Sequence, residues 1–233
     1  MLHLCQPFRD KIEVYWVDTG DSFPHIAEYI EKTCADWGFR LTVVKPPMSV
    51  HEFIHQFGYP VDLLTWLDDP RFSALDLSER PKLQHAAYCC NAMLWQPMYQ
   101  ALIAAGAKLV FRGAKEADSH HMIAEQFFDE GSGIEFYAPI WKWSHEDVMG
   151  YLWKNGVALP RQHQEGCMHS LDCMRCTGWG HTEEEVQRIR FTKKAYPEVY
   201  KEIRERTKIY MDRMDQVVGQ LADFHTAILD DEE

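Results

Sequence analysis

Short runs of β-branched and aromatic residues alternate along the chain with longer segments of helical periodicity, and this alternation limits the fold classes open to it. Residues 11–18, KIEVYWVD, predict a strand that ends in the turn sequence TGDSFP. Pro24–Trp37 then shows helical spacing and stops at Gly38. Further strands are predicted at 39–47, 107–113 and 133–140. Strands alternating with helices predict an α/β fold with an open, mostly parallel sheet and flanking helices.

Serines mark the starts of two predicted helices. Ser49 precedes a short apolar-periodic segment, and Ser144 opens SHEDVMGYLWKNG, where Asp147 completes a pattern like a capping box. The polar, proline-punctuated stretch 68–81 predicts a surface loop. From Thr182 onward the pattern is mostly helical. We therefore predict an α/β domain over residues 1–180 and a helical tail over 181–233.

The charge balance argues against a protein that grips nucleic acid without sequence preference. The 233 residues carry a formal net charge of −12, with 36 Asp and Glu against 24 Lys and Arg. Residues 188–208 hold many basic side chains, but Glu198, Glu202 and Glu205 are interleaved among them, which favours a solvated helix face. No apolar run reaches the roughly 18 residues of a membrane helix, and the N-terminus lacks a signal pattern. We expect a cytoplasmic protein, without a membrane segment, whose thiols stay reduced.

Seven cysteines carry most of the chemical information. Cys5 and Cys34 stand singly in helix-like patterns and are interpreted as buried apolar residues. The others form a vicinal pair and a second group with a C-x-x-C spacing. A C-x-x-C in the cytoplasm indicates metal ligation or a redox dithiol, and its place in the irregular stretch 157–180 favours ligation. The second group comprises Cys167, Cys173 and Cys176, and the vicinal pair is Cys89 and Cys90.

The vicinal pair bears on the kind of metal. Adjacent side chains diverge in regular structure, so Cys89 and Cys90 would chelate one zinc ion poorly. A [4Fe–4S] cluster is larger, so the two thiolates can bind different irons, and thiolate-only ligation suits it. Spacing alone favours iron–sulfur, with zinc and unliganded thiols as the alternatives. Cys167 is a possible fifth thiol.

Several dispersed motifs together resemble the adenylyl-sulfate and phosphoadenylyl-sulfate reductases, whose fold is adenine-nucleotide α-hydrolase-like. VDTGDSFP is similar to the strand-end motif of that family, and CCNAMLWQPM to its Cys-Cys segment. FRGAKEADS, YAPIWKWSHEDVMGYL and CMRCT resemble further segments in the same order. In the cluster-bearing branch the cysteines of these motifs hold one [4Fe–4S]. The resemblance implies that its ligands here are Cys89, Cys90, Cys173 and Cys176.

The strand-end motifs also suit a nucleotide site. Asp18, Thr19 and Gly20 follow the carboxyl end of a predicted strand, where open α/β sheets bind ligands. Arg112 and Lys115 flank Gly113 at another strand end, where cations can hold phosphate or sulfate oxygens. The alternatives are a simple turn cap for the first group and ordinary surface charge for the second. We predict that these six residues bind an adenine nucleotide or an adenylylated sulfur compound.

The sequence departs from the family in three places. The family begins with a Ser/Gly-rich phosphate loop, which this sequence does not show. Three explanations are open: the chain was shortened, its start was placed downstream of the true one, or the protein dispensed with the loop. Met93 and Leu94 stand where the family has Arg-Lys, and Met122 stands for an arginine expected after Ser119. The reductases attack sulfate sulfur with a C-terminal cysteine, and no cysteine follows Cys176. Standard sulfate reduction is not expected of this chain alone, and Cys167 is a weak candidate for the missing thiol.

Two functions follow from these patterns. The first is a reductase or sulfurtransferase relative in sulfur metabolism that acts on an adenylylated substrate with a thiol reductant such as thioredoxin. The alternative is a non-catalytic module stabilised by its cluster. The tail carries an apolar stripe that could serve a partner or a second copy, and packing within its own domain is the simpler interpretation. The stripe comprises Tyr196, Tyr200, Ile203, Tyr210, Met211 and Met214.

Overall fold

The structure of the protein is a computed structural model. The residues that it describes are 1–63, 83–118, 124–168, 171, 173–178 and 183–230. The loop predicted at 68–81 lies outside these residues, as do Ser119 and Met122.

Helices and strands alternate along the described parts of the chain, as the sequence predicts. The strands are β1 (Glu13–Val17), β2 (Arg40–Val44), β3 (Tyr59–Val61), β4 (Leu83–His85), β5 (Leu109–Phe111), β6 (Gln126–Asp129) and β7 (Ile134–Tyr137). The helices are α1 (Leu2–Cys5), α2 (Pro24–Trp37), α3 (Val50–Phe57), α4 (Ala86–Cys90), α5 (Gln96–Ala104), α6 (His145–Lys154), α7 (Arg161–Gln164), α8 (Glu183–Ala195) and α9 (Pro197–Asp230). Short 3₁₀ segments are Gln6–Lys11 and Glu116–Asp118, and a π-helical segment is Asn91–Trp95.

Contacts divide the chain into two compact units, each built from several stretches of sequence. The first unit comprises Met1–Thr19, Pro24–Pro47 and Leu94–Gln164. The second unit comprises Gly20–Phe23, Met48–Met93 and Glu165–Glu233. The domain boundary predicted at residue 180 concerns separately folding parts and stays a prediction.

In the first unit, β1 and β2 pair in parallel and α2 forms the connection between them, which is a β-α-β arrangement. A second sheet has the order β5-β7-β6, with β7 parallel to β5 and antiparallel to β6. Cys5, Cys34 and Phe39 form a buried core with apolar neighbours that include Ile30 and Trp37. The interpretation of these two cysteines as buried apolar residues is therefore confirmed.

In the second unit, β3 and β4 pair in parallel, and α3 begins at Ser49 with a capping box to Glu52. The tail helices pack against this unit's own residues. Ile203 is buried, and the ring of Tyr196 lies 5.4 Å from that of Phe23. These members of the apolar stripe therefore serve the core of their own unit, and self-assembly through the tail stays a prediction.

The α/β class with mostly parallel strands is confirmed, and so are the predicted strands that correspond to β1, β2, β5 and β7. The single open sheet is replaced by three small sheets among the described residues. The sequence missed β3, β4 and β6, because Pro60 interrupts β3 and polar residues occupy most of β4 and both ends of β6. No described helix is long and apolar enough to cross a membrane. The cytoplasmic location stays a prediction.

Candidate functional site

The vicinal cysteines close a short helix at an irregular point of the chain. α4 begins at Ala86, where the His85 side chain accepts a hydrogen bond from the Ala87 backbone N–H at 3.1 Å, and it ends at Cys90. The chain continues as the π-helical segment Asn91–Trp95, and such segments often lie at functional sites. Cys89 is buried and Cys90 is half-buried.

The second pair of cysteines lies on a turn, residues 173–176, which we call the C-x-x-C loop. Its backbone forms an antiparallel bridge from Cys173 to Ser22, and the N–H of Met174 donates to the carbonyl of Asp21 at 2.7 Å. The N–H of Cys176 donates to the carbonyl of Cys173 at 3.3 Å. Backbone pairing with the segment after Gly20 therefore sets the conformation of this loop.

The two pairs share one environment in the second unit. Cys89 belongs to an apolar core with Val50, Phe53, Ile54 and Met93, and Cys173 packs against that core. Burial, followed by the charges of Cys90 and Cys176, raises the pKa of Cys89 to about 12. Cys89 is thus a neighbour of each of the other three cysteines that the resemblance assigns to one cluster. We call the four together the cysteine site, and their ligation of a metal stays a prediction.

Close contacts after the C-x-x-C loop join it to the start of the helix that carries the vicinal pair. A Cβ added to Gly178 would lie 2.5 Å from the Cβ of Ala86, so only glycine fits here. The hydroxyl of Thr177 donates to the carbonyl of Pro60 at 2.7 Å. Residues 177 and 178 therefore hold the two halves of the cysteine site at short range.

Two arginines of the second unit also support the loop. Arg188 of α8 is buried, donates from Nη2 to the Cys176 carbonyl at 2.9 Å and pairs through Nε with Glu185. Arg206 of α9 donates from Nη1 to the Arg175 carbonyl at 3.0 Å. The stretch 188–208 is therefore not a uniformly solvated face: two of its cations bind backbone oxygens beside the cysteines.

Cys167 is fully buried in the second unit, and the backbone N–H of its neighbour Met168 donates to Gln187 at 3.2 Å. A thiolate that attacks a substrate must be reachable, so a nucleophilic role for Cys167 would require exposure of this segment. The role predicted for it stays a prediction.

The first strand-end motif continues the sheet for one residue. The N–H of Asp18 donates to the Val44 carbonyl at 2.9 Å, which extends the β1–β2 pairing. Asp18 is half-buried and Thr19 is buried. Gly20 has φ of +79°, a left-handed conformation that glycine adopts without strain, and it belongs to the second unit.

The second strand-end motif follows β5 in the first unit. Arg112 continues the sheet through its N–H to the Tyr137 carbonyl at 2.8 Å, and its Nη2 donates to the Ala124 carbonyl at 3.2 Å. Its guanidinium lies 5.5 Å from the centre of the Phe136 ring, and burial lowers its pKa. Gly113 is exposed and Lys115 is half-buried. The side chain of Arg112 is thus already engaged by its own unit, and the nucleotide role of this motif stays a prediction.

Met93, which stands where the resembled reductases have an arginine, is an apolar core residue. Met93 is almost fully buried in the core that contains Cys89. A charged side chain at this position would have no partner in an apolar surrounding. The substitution is therefore consistent with the local packing.

Sequence reasoning missed the residues that organise the cysteine site. Asp21 is buried and forms an ion pair with Arg175 at 2.5 Å, and Arg175 also binds Glu202 at 2.7 Å. Burial alone would lower the pKa of Arg175, but Glu202 and Asp21 outweigh it and raise the pKa above its ordinary value. A signal was present, since an aspartate follows the Thr-Gly turn and an arginine stands inside the C-x-x-C. Gly178, which directly follows CMRCT, was a second sequence signal, because glycine allows a close approach of two chain segments.

The donor set of the cysteine site fits a thiolate-bound metal group. The described residues contain no group of three or more His, Cys, Asp or Glu side chains already arranged to hold a metal ion. Neighbouring thiols in a buried place resist ionisation, as the raised pKa of Cys89 shows. Bound metal cations would reverse that effect, because they lower the pKa of coordinating thiols. Thiols of this kind could hold a cationic group, and ligation by Cys89, Cys90, Cys173 and Cys176 stays a prediction.

These features define an α/β protein with mostly parallel strands and with the four cysteines of the cysteine site in its second unit. Residues 1–179 match the model of the phosphoadenosine phosphosulfate reductase domain family. This match spans most of the chain, so the protein belongs to that family and is a relative of reductases of sulfur metabolism.

Individual relatives are distant. The chain is 24% identical over 190 residues to an adenosine 5′-phosphosulfate reductase of Anoxybacillus flavithermus, covering 80% of this chain and 71% of the relative. It is 24% identical to a phosphoadenosine 5′-phosphosulfate reductase of Vibrio atlanticus, covering 80% of this chain and 66% of the relative. An adenosine 5′-phosphosulfate reductase of Neisseria meningitidis is 29% identical over 89 residues, which is 38% of this chain and 36% of the relative.

A crystal structure of the phosphoadenylyl-sulfate reductase from Candida auris, in complex with phosphate, aligns with a TM-score of 0.49 and 20% identity. It covers 74% of this chain and 73% of that chain. We draw no conclusion from a likeness at this level.

Proposed function

We propose that the protein is an iron–sulfur member of this family, a reductase or sulfurtransferase relative that acts on an adenylylated sulfur compound. Its cysteine site holds a [4Fe–4S] cluster through Cys89, Cys90, Cys173 and Cys176. The strand-end residues bind the nucleotide part of the substrate. They are Asp18, Thr19, Gly20, Arg112, Gly113 and Lys115.

One observation carries this proposal: two cysteine pairs that are far apart in sequence meet in one half-buried place. The charges of Cys90 and Cys176 both act on Cys89, while Cys173 packs against the core that contains Cys89. A vicinal pair facing a C-x-x-C suits a cluster of several irons better than one zinc ion, because adjacent thiolates diverge. When bound, the cluster supplies iron ions that neutralise the four thiolates and fix the two chain segments to each other.

The residues of the chain have distinct parts in this function. Arg188 and Arg206 hold backbone carbonyls of the C-x-x-C loop and keep the loop closed. Thr19 and Gly20 offer a tight turn at a strand end where a nucleotide can approach the backbone. Arg112 and Lys115 provide cations for sulfate or phosphate oxygens.

Reduction of such a substrate requires thiols beyond those that hold the cluster. A thiolate attacks the sulfate sulfur, an S–S bond forms, and the S–O bond to the nucleotide breaks with release of AMP. A second thiolate then attacks the sulfur atom of the first thiol, a disulfide forms between the two, and the bond to the sulfonate group breaks so that sulfite leaves with the electron pair. The two thiols are thereby oxidised, and the reductant is a dithiol protein of the thioredoxin kind. Cys167 could act as the first thiol only after exposure.

The test is anaerobic purification followed by analysis of iron, acid-labile sulfide and zinc. We expect about four irons and four sulfides per chain and a brown protein with broad visible absorption. Protein that contains zinc but no acid-labile sulfide would refute the cluster and support the zinc alternative. Sulfite release from adenylyl sulfate with a dithiol reductant tests the activity, and its absence in an iron-loaded protein would exclude the reductase.

A second function is favoured by two observations in the second unit. Met93 occupies the position of a family cation inside an apolar core, and Cys167 is fully buried. Both favour a non-catalytic module whose cluster stabilises the fold. Iron-loaded protein that binds neither adenylyl sulfate nor AMP in calorimetry would support this module over the enzyme.

A further inference from the structure

The C-x-x-C loop is fastened by a buried ion pair that none of the predicted site residues supplies. Asp21 directly follows Gly20 in the strand-end motif, and Arg175 lies between Cys173 and Cys176. We propose that Asp21 and Arg175 are positioning residues that hold the C-x-x-C loop in the shape in which its two thiols bind a metal group. This inference rests on the proposed ligation by the cysteine site.

The carboxylate of Asp21 makes two contacts with a single residue of the loop. Its Oδ1 pairs with Nη1 of Arg175 at 2.5 Å, and its Oδ2 accepts the backbone N–H of Arg175 at 2.9 Å. The Asp21 carbonyl accepts the N–H of Met174 at 2.7 Å, and Ser22 forms the bridge to Cys173. Side chain and backbone together fix three successive residues of the loop.

Helix α9 holds the same arginine from a second direction. Glu202 accepts from Nε of Arg175 at 2.7 Å, and Arg206 donates from Nη1 to the Arg175 carbonyl at 3.0 Å. The Glu202 carboxylate is 43% exposed, whereas that of Asp21 is only 1% exposed. Water therefore competes far less for the contact with Asp21 than for the contact with Glu202.

Loss of the Asp21 charge leaves a guanidinium that is only 20% exposed with one carboxylate instead of two. Such a group moves toward water, and the loop must move with it, because Arg175 is part of the loop. Residues that orient metal ligands without touching the metal commonly change metal affinity about 10–100-fold when altered. The expected consequence is a misplaced C-x-x-C loop in an otherwise folded protein.

The experiment compares Asp21→Asn with wild type, and Asp36→Asn is the matched control, because Asp36 forms an exposed ion pair with Lys32. The first readout uses protein without iron: mass spectrometry follows the alkylation rate of each cysteine. We expect faster alkylation of Cys173 and Cys176 in Asp21→Asn and no change at the buried Cys34. The second readout is iron loss to a chelator from loaded protein, expected to be roughly tenfold faster in Asp21→Asn. Glu202→Gln should show a smaller effect of the same kind.

Each outcome decides the question. Equal alkylation rates at Cys173 and Cys176 in wild type and Asp21→Asn would overturn the inference. Faster alkylation of all cysteines, including Cys34, would show that Asp21→Asn does not fold. If Asp21→Asn does not fold, the double variant Asp21→Asn/Arg175→Met removes both charges and takes its place. A wild type that takes up no iron refutes the proposed cluster, and the alkylation readout still decides the positioning role.

Discussion

The two units engage their predicted functional residues differently. In the second unit, side chains from three segments of the chain converge on the backbone around Cys173 and Cys176, while the thiols share one half-buried place. In the first unit, the predicted cation Arg112 is occupied by the Ala124 carbonyl and the Phe136 ring. Residue type alone therefore distinguishes a site poorly. A functional site is better indicated where neighbouring side chains form hydrogen bonds that fix the backbone of the candidate residues.

Removal of a thiol from the cysteine site should have the largest effect in the second unit. We expect Cys90→Ser and Cys173→Ser to lose most of their iron and their visible absorption, because a cluster deprived of one thiolate is poorly retained. Iron analysis and absorption spectra of anaerobically purified protein measure the loss. Cys34→Ala is the matched control, since Cys34 is buried in the core of the first unit, and it should keep its iron. Unchanged iron content in both serine variants would refute the ligand assignment.

A methyl group at Gly178 tests the close approach of the two halves of the cysteine site. In Gly178→Ala the new Cβ would lie 2.5 Å from the Ala86 Cβ, so one segment must shift. We expect a free energy of unfolding about 1–3 kcal/mol lower, measured by urea denaturation, together with weaker iron retention.

The double variant Ala86→Gly/Gly178→Ala should recover part of the loss, because it reopens the space. The control in the first unit is Gly150→Ala, within α6, where an added Cβ meets nothing within 4 Å. That variant should gain about 0.5–1 kcal/mol. A Gly178→Ala protein as stable as wild type would show that the two segments are not held at this distance.

Features that depend on residues close together in the sequence were predicted better than features that depend on distant residues. The helix caps at Ser49 and Ser144 are local, and both were found where the sequence placed them. The cysteine quartet could be named because C-x-x-C and vicinal cysteines are rare patterns with few uses, and its role as a ligand set stays a prediction. Strands β3 and β4 were missed, because a proline interrupts β3 and β4 has one apolar residue only.

Asp21 and Arg175 both stand inside motifs that the sequence shows, but their pairing with each other could not be predicted from sequence patterns. The two residues are far apart in the chain, and each has an ordinary explanation by itself, a turn aspartate and a surface arginine. Only the antiparallel bridge between Ser22 and Cys173 brings them together. Long-range ion pairs depend on tertiary structure, which periodicity does not encode.

Replacement of Arg112 tests whether this residue of the first unit has a structural role, a binding role or both. We expect Arg112→Met to lower the free energy of unfolding by about 1 kcal/mol, because the hydrogen bond to Ala124 is lost. If Arg112 also holds the substrate, affinity for adenylyl sulfate should fall about tenfold, the scale of one hydrogen bond to a charged group. Calorimetric titration and urea denaturation separate the two effects. Lower stability with unchanged affinity would leave Arg112 a purely structural residue and make its predicted nucleotide role wrong.

The smallest expected effect concerns the helix caps, in which the two units should not differ. Hydrogen bonds from the Ser49 backbone and side chain lower the pKa of Glu52 in the second unit, and hydrogen bonds from the Ser144 side chain and backbone lower that of Asp147 in the first. A carboxylate whose pKa is lowered by folding stabilises the protein above its ordinary pKa, and this contribution is lost as the pH falls through the folded value. Glu52→Gln and Asp147→Asn should therefore make stability less dependent on pH below the ordinary values of 4.5 and 3.8. Urea midpoints measured from about pH 6 to pH 3 check this, with Asp36→Asn as the control. If stability became less dependent on pH in only one of the two variants, the two helix caps would differ, contrary to our expectation.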